Sequence, residues 1–242
     1  VDPNHLILHL ENISFNYPGG PKILTDLDLL FYKGDRIGLM GPNGSGKTTL
    51  FHIIMGLLKP CSGSMEIYSR PAKTEKDFTS VRKKIGLLFQ DADDQLFSPT
   101  VLEDVAFGPL NLGKSRDEAM EISLKTLNFL GLSGFEDRIT YKLSGGEKKL
   151  VSLATVLAME PEVLLLDEPT SGLDDYTKAT LKKVLADLDL SYIIISHEID
   201  FLAETTDHIY AMENGKILFE EEIHPHQHVH AHPHGAYVHE HE

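Results

Sequence analysis

Short apolar runs alternate with polar, glycine- and proline-marked breaks along most of this chain. Leu6 to Phe15 and Ile23 to Phe31 are apolar-rich and flank the turn cluster Tyr17-Pro18-Gly19-Gly20-Pro21, which predicts a pair of N-terminal strands. Arg36 to Met40 predicts a further strand that runs into a glycine-rich loop. Thr48 to Leu58 predicts a helix, with Pro60 and Gly63 beyond it. Ile85 to Phe89, Val163 to Leu166 and Tyr192 to Ile195 are apolar at consecutive positions, as suits strands covered on both faces of a parallel sheet. Ser115-Arg116-Asp117-Glu118 predicts a capping box, followed by the apolar face Ala119, Ile122, Leu127 and Leu130 and a stop at Gly131. Thr177 to Leu188 predicts another amphipathic helix. Asn214-Gly215, between Ile209 to Met212 and Lys216 to Phe219, predicts a terminal hairpin. From about Ala92 to Leu157 no clear strand pattern occurs, so this stretch is expected to be a helical subdomain inserted into the sheet domain.

The expected class is therefore α/β: a mostly parallel sheet flanked by helices, an antiparallel β subdomain at the N-terminus, and the helical insertion. One domain is expected over residues 1–220, with a separate tail over 221–242. A length of 242 residues is ample for a core. The formal charge of -15 argues against a general nucleic-acid binder, which needs basic patches to meet phosphates. Cys61 is the single cysteine, so no intramolecular disulfide forms, which fits a reducing cytoplasm. Val1-Asp2-Pro3 has no signal-peptide pattern, and the lack of a starting Met is expected to reflect a missing or altered residue. No run approaches the roughly 20 apolar residues of a membrane-spanning helix.

Gly41-Pro42-Asn43-Gly44-Ser45-Gly46-Lys47-Thr48 fits G-x-x-x-x-G-K-[ST] without a gap, after a strand and before a helix, which points to a P-loop NTPase core. Glycines let backbone N–H groups turn inward around an anion, and the following helix aims its positive end at the same spot. Lys47 adds a mobile cation for terminal phosphates, and the Thr48 hydroxyl can ligate Mg²⁺. Val163 to Leu166 ends in Asp167-Glu168-Pro169: Asp167 is placed to hold a Mg²⁺-bound water, and Glu168 to polarise an attacking water. Leu143-Ser144-Gly145-Gly146-Glu147 opens another helix, striped by Leu150, Leu153, Ala154, Leu157 and Ala158. Ser and two glycines at a helix start make a second anion site, or a plain N-cap.

These motifs together, in order, resemble the ABC ATPases over roughly residues 6 to 220. Ser144-Gly145-Gly146 is similar to the family's signature motif, Gln90 to its Q-loop glutamine, Ser171-Gly172-Leu173-Asp174 to its D-loop and His197 to its switch histidine. Tyr17 matches the aromatic residue that stacks on adenine. The resemblance implies an ATPase using ATP and Mg²⁺. Two copies would sandwich two nucleotides head to tail, each held by Tyr17 and Gly41 to Thr49 of one chain and closed over by Ser144, Gly145, Gly146 and Asp174 of the other. It implies Glu168, His197, Gln90 and Lys47 as catalytic residues, and Mg²⁺ held through Thr48, Gln90 and Asp167. Glu147, Leu150 and Asp175 stand where the family often has Gln, Arg and Pro. They lie beside the chemistry, and hydrolysis is expected to survive.

Gln90 to Pro109, reading QDADDQLFSPTVLEDVAFGP, resembles the energy-coupling-factor importers. In that branch this stretch receives a coupling helix of an integral membrane subunit, which implies Phe97, Val101, Val105 and Phe107 as apolar contacts and a peripheral position on the cytoplasmic face of the membrane. Core packing of the helical subdomain is the alternative for these residues. The tail carries His224, His226, His228, His230, His232 and His234, with His239 and His241 beyond, among Pro and Glu. Neutral imidazole suits nickel, cobalt, copper and zinc, so the tail reads as a metal-buffering arm, disordered when unliganded, or as an inert solubilising extension. The combination favours cobalt or nickel import. A vitamin importer and a non-transport ABC ATPase are the alternatives.

Overall fold

A computed structural model of the protein describes residues 5–218. The tail histidines and Phe219 of the hairpin therefore lie outside the described residues. Strands β1 (Leu6–Asn16) and β2 (Lys22–Tyr32) pair antiparallel across the turn after Tyr17. After β3 (Arg36–Met40) and α1 (Lys47–Ile54) come β4 (Ser62–Ile67) and β5 (Arg70–Pro71), which complete a four-stranded sheet in the order β2-β1-β4-β5. The β4 sequence SGSMEI buries only Met65 and Ile67, too few apolar positions for hydrophobic pattern alone to mark a strand. Pairing with β1 supplies what propensity does not. Helix α1 ends at Ile54, short of Leu58, because the amides of Leu57 and Leu58 both fold back to the His52 carbonyl.

The second sheet begins after α2 (Glu75–Val81) with β6 (Ile85–Leu88). The insertion follows: α3 (Val101–Asn111), α4 (Arg116–Phe129) and α5 (Gly145–Leu157). The chain then runs through β7 (Val163–Asp167), α6 (Asp175–Asp187), β8 (Ser191–Ile195), α7 (Ile199–Thr205), β9 (His208–Glu213) and β10 (Lys216–Leu218). The order is β10-β9-β3-β8-β7-β6, parallel except for the β9–β10 hairpin. The α/β class with its antiparallel subdomain is thus observed. Alternation along β7 and β8 divides the core. Val163, Leu165, Ile193 and Ile195 pack with α1 and the antiparallel sheet. Leu164, Leu166, Tyr192 and Ile194 pack with helices of the other face, including α5, α6 and α7. Each fully buried side chain of this kind contributes about 1.5–3 kcal/mol. The predicted Ser115–Glu118 capping box opens α4, and the same reciprocal device opens α3 at Thr100–Glu103 and α5 at Ser144–Glu147.

Candidate active site

The carboxyl ends of β3, β7 and β8 place the predicted chemistry on one rim of the parallel sheet, where open α/β sheets bind ligands. From β3 the chain enters the glycine-rich loop and then α1. Gly46, the N-cap of α1, sits at φ 106°, and no side chain caps the helix, so its first amides are free for an anion. A Cβ at Gly46 would also lie 2.6 Å from Leu24 Cδ2. At Gly41 a Cβ would lie 2.2 Å from the Met212 carbonyl oxygen, so β9 forms the wall directly behind the loop. Lys47 is buried and donates to the carbonyls of Gly41 (2.7 Å) and Pro42 (3.1 Å). Burial lowers its pKa, while the charges of Glu168 and Asp167 pull it back up.

Asp167 ends β7, 3% exposed, and Glu168 follows it with φ 45°. A left-handed backbone at a non-glycine residue is a strain that clusters at functional sites. The Glu168 amide donates to the Ile195 carbonyl at 3.0 Å, which fixes the turn against β8. Asp167 Oδ1 and Glu168 Oε1 are buried with no hydrogen-bond partner among the described residues. Burial raises both pKa values. The Thr48 hydroxyl, His52, Lys149 and Lys47 oppose it at Asp167; His197 and Lys47 oppose it at Glu168, while Asp167 reinforces it there. His197, just past β8, holds Nε2 3.1 Å from Asn43 Oδ1 and 3.2 Å from Glu168 Oε1. The Glu168 contact lacks hydrogen-bond geometry, so Asn43 is the hydrogen-bond partner and Glu168 a close charge. Tyr17 leaves its ring 43% exposed over the site, edge-on to Phe15 at 4.9 Å, with its hydroxyl 3.3 Å from Thr49 Oγ1.

A pocket of about 430 Å³ brings these groups together: Tyr17, Asn43, Gly44, Gly46, Lys47, Thr48, Thr49, Gln90, Asp167, Glu168 and His197 all line it. Gly41 and Pro42 contribute carbonyls to Lys47, and Ser45 is buried behind the loop with its hydroxyl unpartnered. Ser144, Gly146 and Asp174 do not line this pocket. Gly145 borders an adjoining cleft of about 780 Å³ that also reaches Thr48, Gln90 and Asp167. Asp174 caps α6, its carboxylate accepting from the Thr177 amide at 2.8 Å. The donor set fits a nucleotide with Mg²⁺: uncapped amides and a lysine for phosphates, and for a hard cation the Thr48 hydroxyl, the Gln90 amide and the orphaned Asp167 oxygen. Sequence reading missed Asn43 as the partner of His197, and it missed His52 and Lys149. His52 follows Thr48 by one helical turn, and Lys149 borders the apolar stripe of α5, so helical spacing held a signal for both.

The predicted docking face needs one correction. Val101 and Val105 are fully buried in the core of the insertion and cannot meet a partner. The α3 register turns them inward, because the Thr100 cap starts the helix one residue before Val101. Phe97 and Phe107 remain, 67% and 47% exposed and edge-on to each other at 4.8 Å. They border an apolar groove of about 360 Å³ with Met55, Leu57 and Met159. Among the described residues no helix is long and apolar enough to cross a membrane.

Comparison with known proteins agrees with this geometry. The ABC transporter family matches residues 24–171. The energy-coupling factor transporter ATP-binding protein EcfA of Methanocaldococcus jannaschii is 44% identical over 218 residues, which is 88% of this chain and 78% of that protein. Among solved structures, cbiO1 from Clostridium perfringens, part of the ABC transporter complex cbiONQ, superposes with a TM-score of 0.80 at 36% identity, covering 89% of this chain and 88% of that one. An ATP-binding cassette solved as a dimer in a post-hydrolysis state with ADP and Pi gives a TM-score of 0.80 at 28% identity, over 87% of this chain and 96% of that one. The phosphate cradle, the acidic strand end and these likenesses make one case: the chain belongs to the ATP-hydrolysing subunits of ABC transporters and is similar to their energy-coupling-factor branch.

Proposed function

We propose that this chain is the motor of an energy-coupling-factor importer for a divalent transition metal, cobalt or nickel, and that it works as a dimer on the cytoplasmic face of the membrane. The observation that carries the motor reading is the pair of orphaned, buried carboxylate oxygens on Asp167 and Glu168, facing the uncapped start of α1 across one pocket. ATP lies on Gly41 to Thr49 with its base against Tyr17. Lys47 exchanges the Gly41 and Pro42 carbonyls for phosphate oxygens. Thr48, Asp167 and Gln90 would hold Mg²⁺, which would supply charge neutralisation for the phosphates. Glu168 Oε1 accepts a proton from the attacking water, a task suited to a carboxylate whose pKa burial has raised. His197, oriented by Asn43, turns Nε2 to the terminal phosphate. The partner's Ser144, the partner's Gly145, the partner's Gly146 and the partner's Asp174 close the pocket.

The insertion, about residues 92–157, serves as the arm that meets the membrane subunits, with Phe97 and Phe107 as its apolar contacts. Likeness to cbiO1 and the imidazole-rich sequence from His224 to His234 support a metal as cargo. Uptake is the test. Cells carrying the complete importer should accumulate labelled cobalt or nickel, and Glu168→Gln should abolish it. Accumulation that survives Glu168→Gln refutes the motor assignment. Accumulation of a vitamin in place of metal refutes the cargo.

A further inference from the structure

Lys149 is a lysine inside the protein: it lies one turn into α5 and is 5% exposed. Lysine is almost never buried without partners, and here no carboxylate among the described residues bonds to it. Its Nζ instead donates to two backbone carbonyls, Gln90 at 2.6 Å and Phe89 at 3.3 Å. These belong to the loop after β6 whose glutamine lines the nucleotide pocket. Five residues on, Gln95 fastens the same loop a second time. Its Oε1 accepts from the Phe89 amide at 3.2 Å, and its Nε2 donates to the Ser152 carbonyl at 2.9 Å and the Thr155 hydroxyl at 2.8 Å. Below the loop, Val156 packs so closely on Gly86 of β6 that a Cβ there would meet Val156 Cγ1 at 2.3 Å. The pair Lys148–Asp93, whose carboxylate is exposed, adds little by comparison.

We propose that Lys149 is a positioning residue that ties the glutamine loop of a subunit's own ATP site to the helix whose serine–glycine start completes the ATP site of its twin. The loop and α5 then move as one body. A displacement of Gln90 cannot occur without breaking buried bonds or carrying Ser144, Gly145 and Gly146 with it. Each subunit thereby transmits the state of its own pocket to the opposite one through its own interior. This coupling rests on the head-to-tail dimer proposed above.

The test places Lys149→Met in the Glu168→Gln background and follows ATP-driven dimerisation by light scattering. Methionine keeps the stem and deletes the ammonium. The two charge-assisted hydrogen bonds lost at this joint should raise the ATP concentration for half-dimerisation by at least about tenfold. ADP binding to the monomer, which uses only the cradle, should stay within about twofold. Lys149→Arg, which keeps two donors in reach, should restore dimerisation. A folded Lys149→Met protein that dimerises as Glu168→Gln alone does overturns the proposal, as does a loss of ADP binding in step with the melting temperature, which marks a merely structural role. Should Lys149→Met fail to fold, Gln95→Met reads the same joint, and unchanged dimerisation there is equally fatal. If Glu168→Gln itself stays monomeric with ATP and Mg²⁺, the dimer reading fails first.

Discussion

Ser144→Ala separates the two jobs that one hydroxyl is assigned. Within its own chain, Ser144 Oγ accepts the Glu147 amide at 3.3 Å, while the Ser144 amide donates to Glu147 Oε2 at 2.8 Å. Alanine removes the first bond and keeps the second. Loss of such a cap costs about 1 kcal/mol, which for a chain of this size lowers Tm by about 2–4 °C. The cap uses an oxygen lone pair, and the hydroxyl hydrogen, directed at the Glu147 carboxylate in the free subunit, can turn to a phosphate on the twin subunit. A hydrogen bond to a charged group is worth about 1.5–3 kcal/mol, and a symmetric dimer loses two of them. The sum, about 3–6 kcal/mol, weakens the ATP-bound dimer by about 10²–10⁴-fold. Sedimentation of Glu168→Gln with and without Ser144→Ala, at saturating ATP and Mg²⁺, measures it. Ser144→Gly is the control, because glycine costs the cap only a few tenths of a kcal/mol and abolishes the contact equally. A Ser144→Ala protein with the expected small drop in Tm and undiminished dimerisation refutes the shared-nucleotide arrangement.

Two further outcomes follow from the same region. Gly46→Ala should abolish nucleotide binding in a fluorescent-ADP titration: φ 106° alone costs an L-residue about 1–2 kcal/mol, and the new methyl meets Leu24 Cδ2 at 2.6 Å; wild-type affinity would remove the cradle from the mechanism. At Glu147 the Ser144 amide, then the Ser144 hydroxyl and Arg138, hold the carboxyl below its ordinary pKa against the opposing effect of burial, so its stabilisation is present above the ordinary glutamate range and is lost as pH falls through the depressed value. Urea melts should therefore show the wild type more stable than Glu147→Gln at neutral pH and the gap closing on acidification; a gap independent of pH would refute the assignment.

Legibility followed the physics of each element. The parallel strands were plain because burial on both faces forces consecutive apolar residues, as in Val163 to Leu166. The cradle was plain because its backbone demands glycines at fixed spacing. Strand β4 was not, because its place comes from pairing with β1 rather than from its own side chains. Val101 illustrates a subtler limit. Resemblance put it on the docking stretch, but a one-residue offset from the Thr100 cap decides which way a helical side chain faces, and burial overrules the assignment. The bonds of Lys149 to the Gln90 carbonyl and of Asn43 to His197 could not be read out, because those partners lie 59 and 154 positions away along the chain.

The wall behind the phosphate loop is made of residues that leave the ribosome late. Gly41 rests against the Met212 carbonyl, and the Thr25 amide donates to the Gly215 carbonyl at 3.1 Å. A nascent chain can display the entire lysine-bearing motif and still lack the surface that gives it shape. Contacts this distant in sequence form last and slow the search for the native state. The shape of the lysine-bearing motif therefore depends on β9 and the turn at Gly215 having been made.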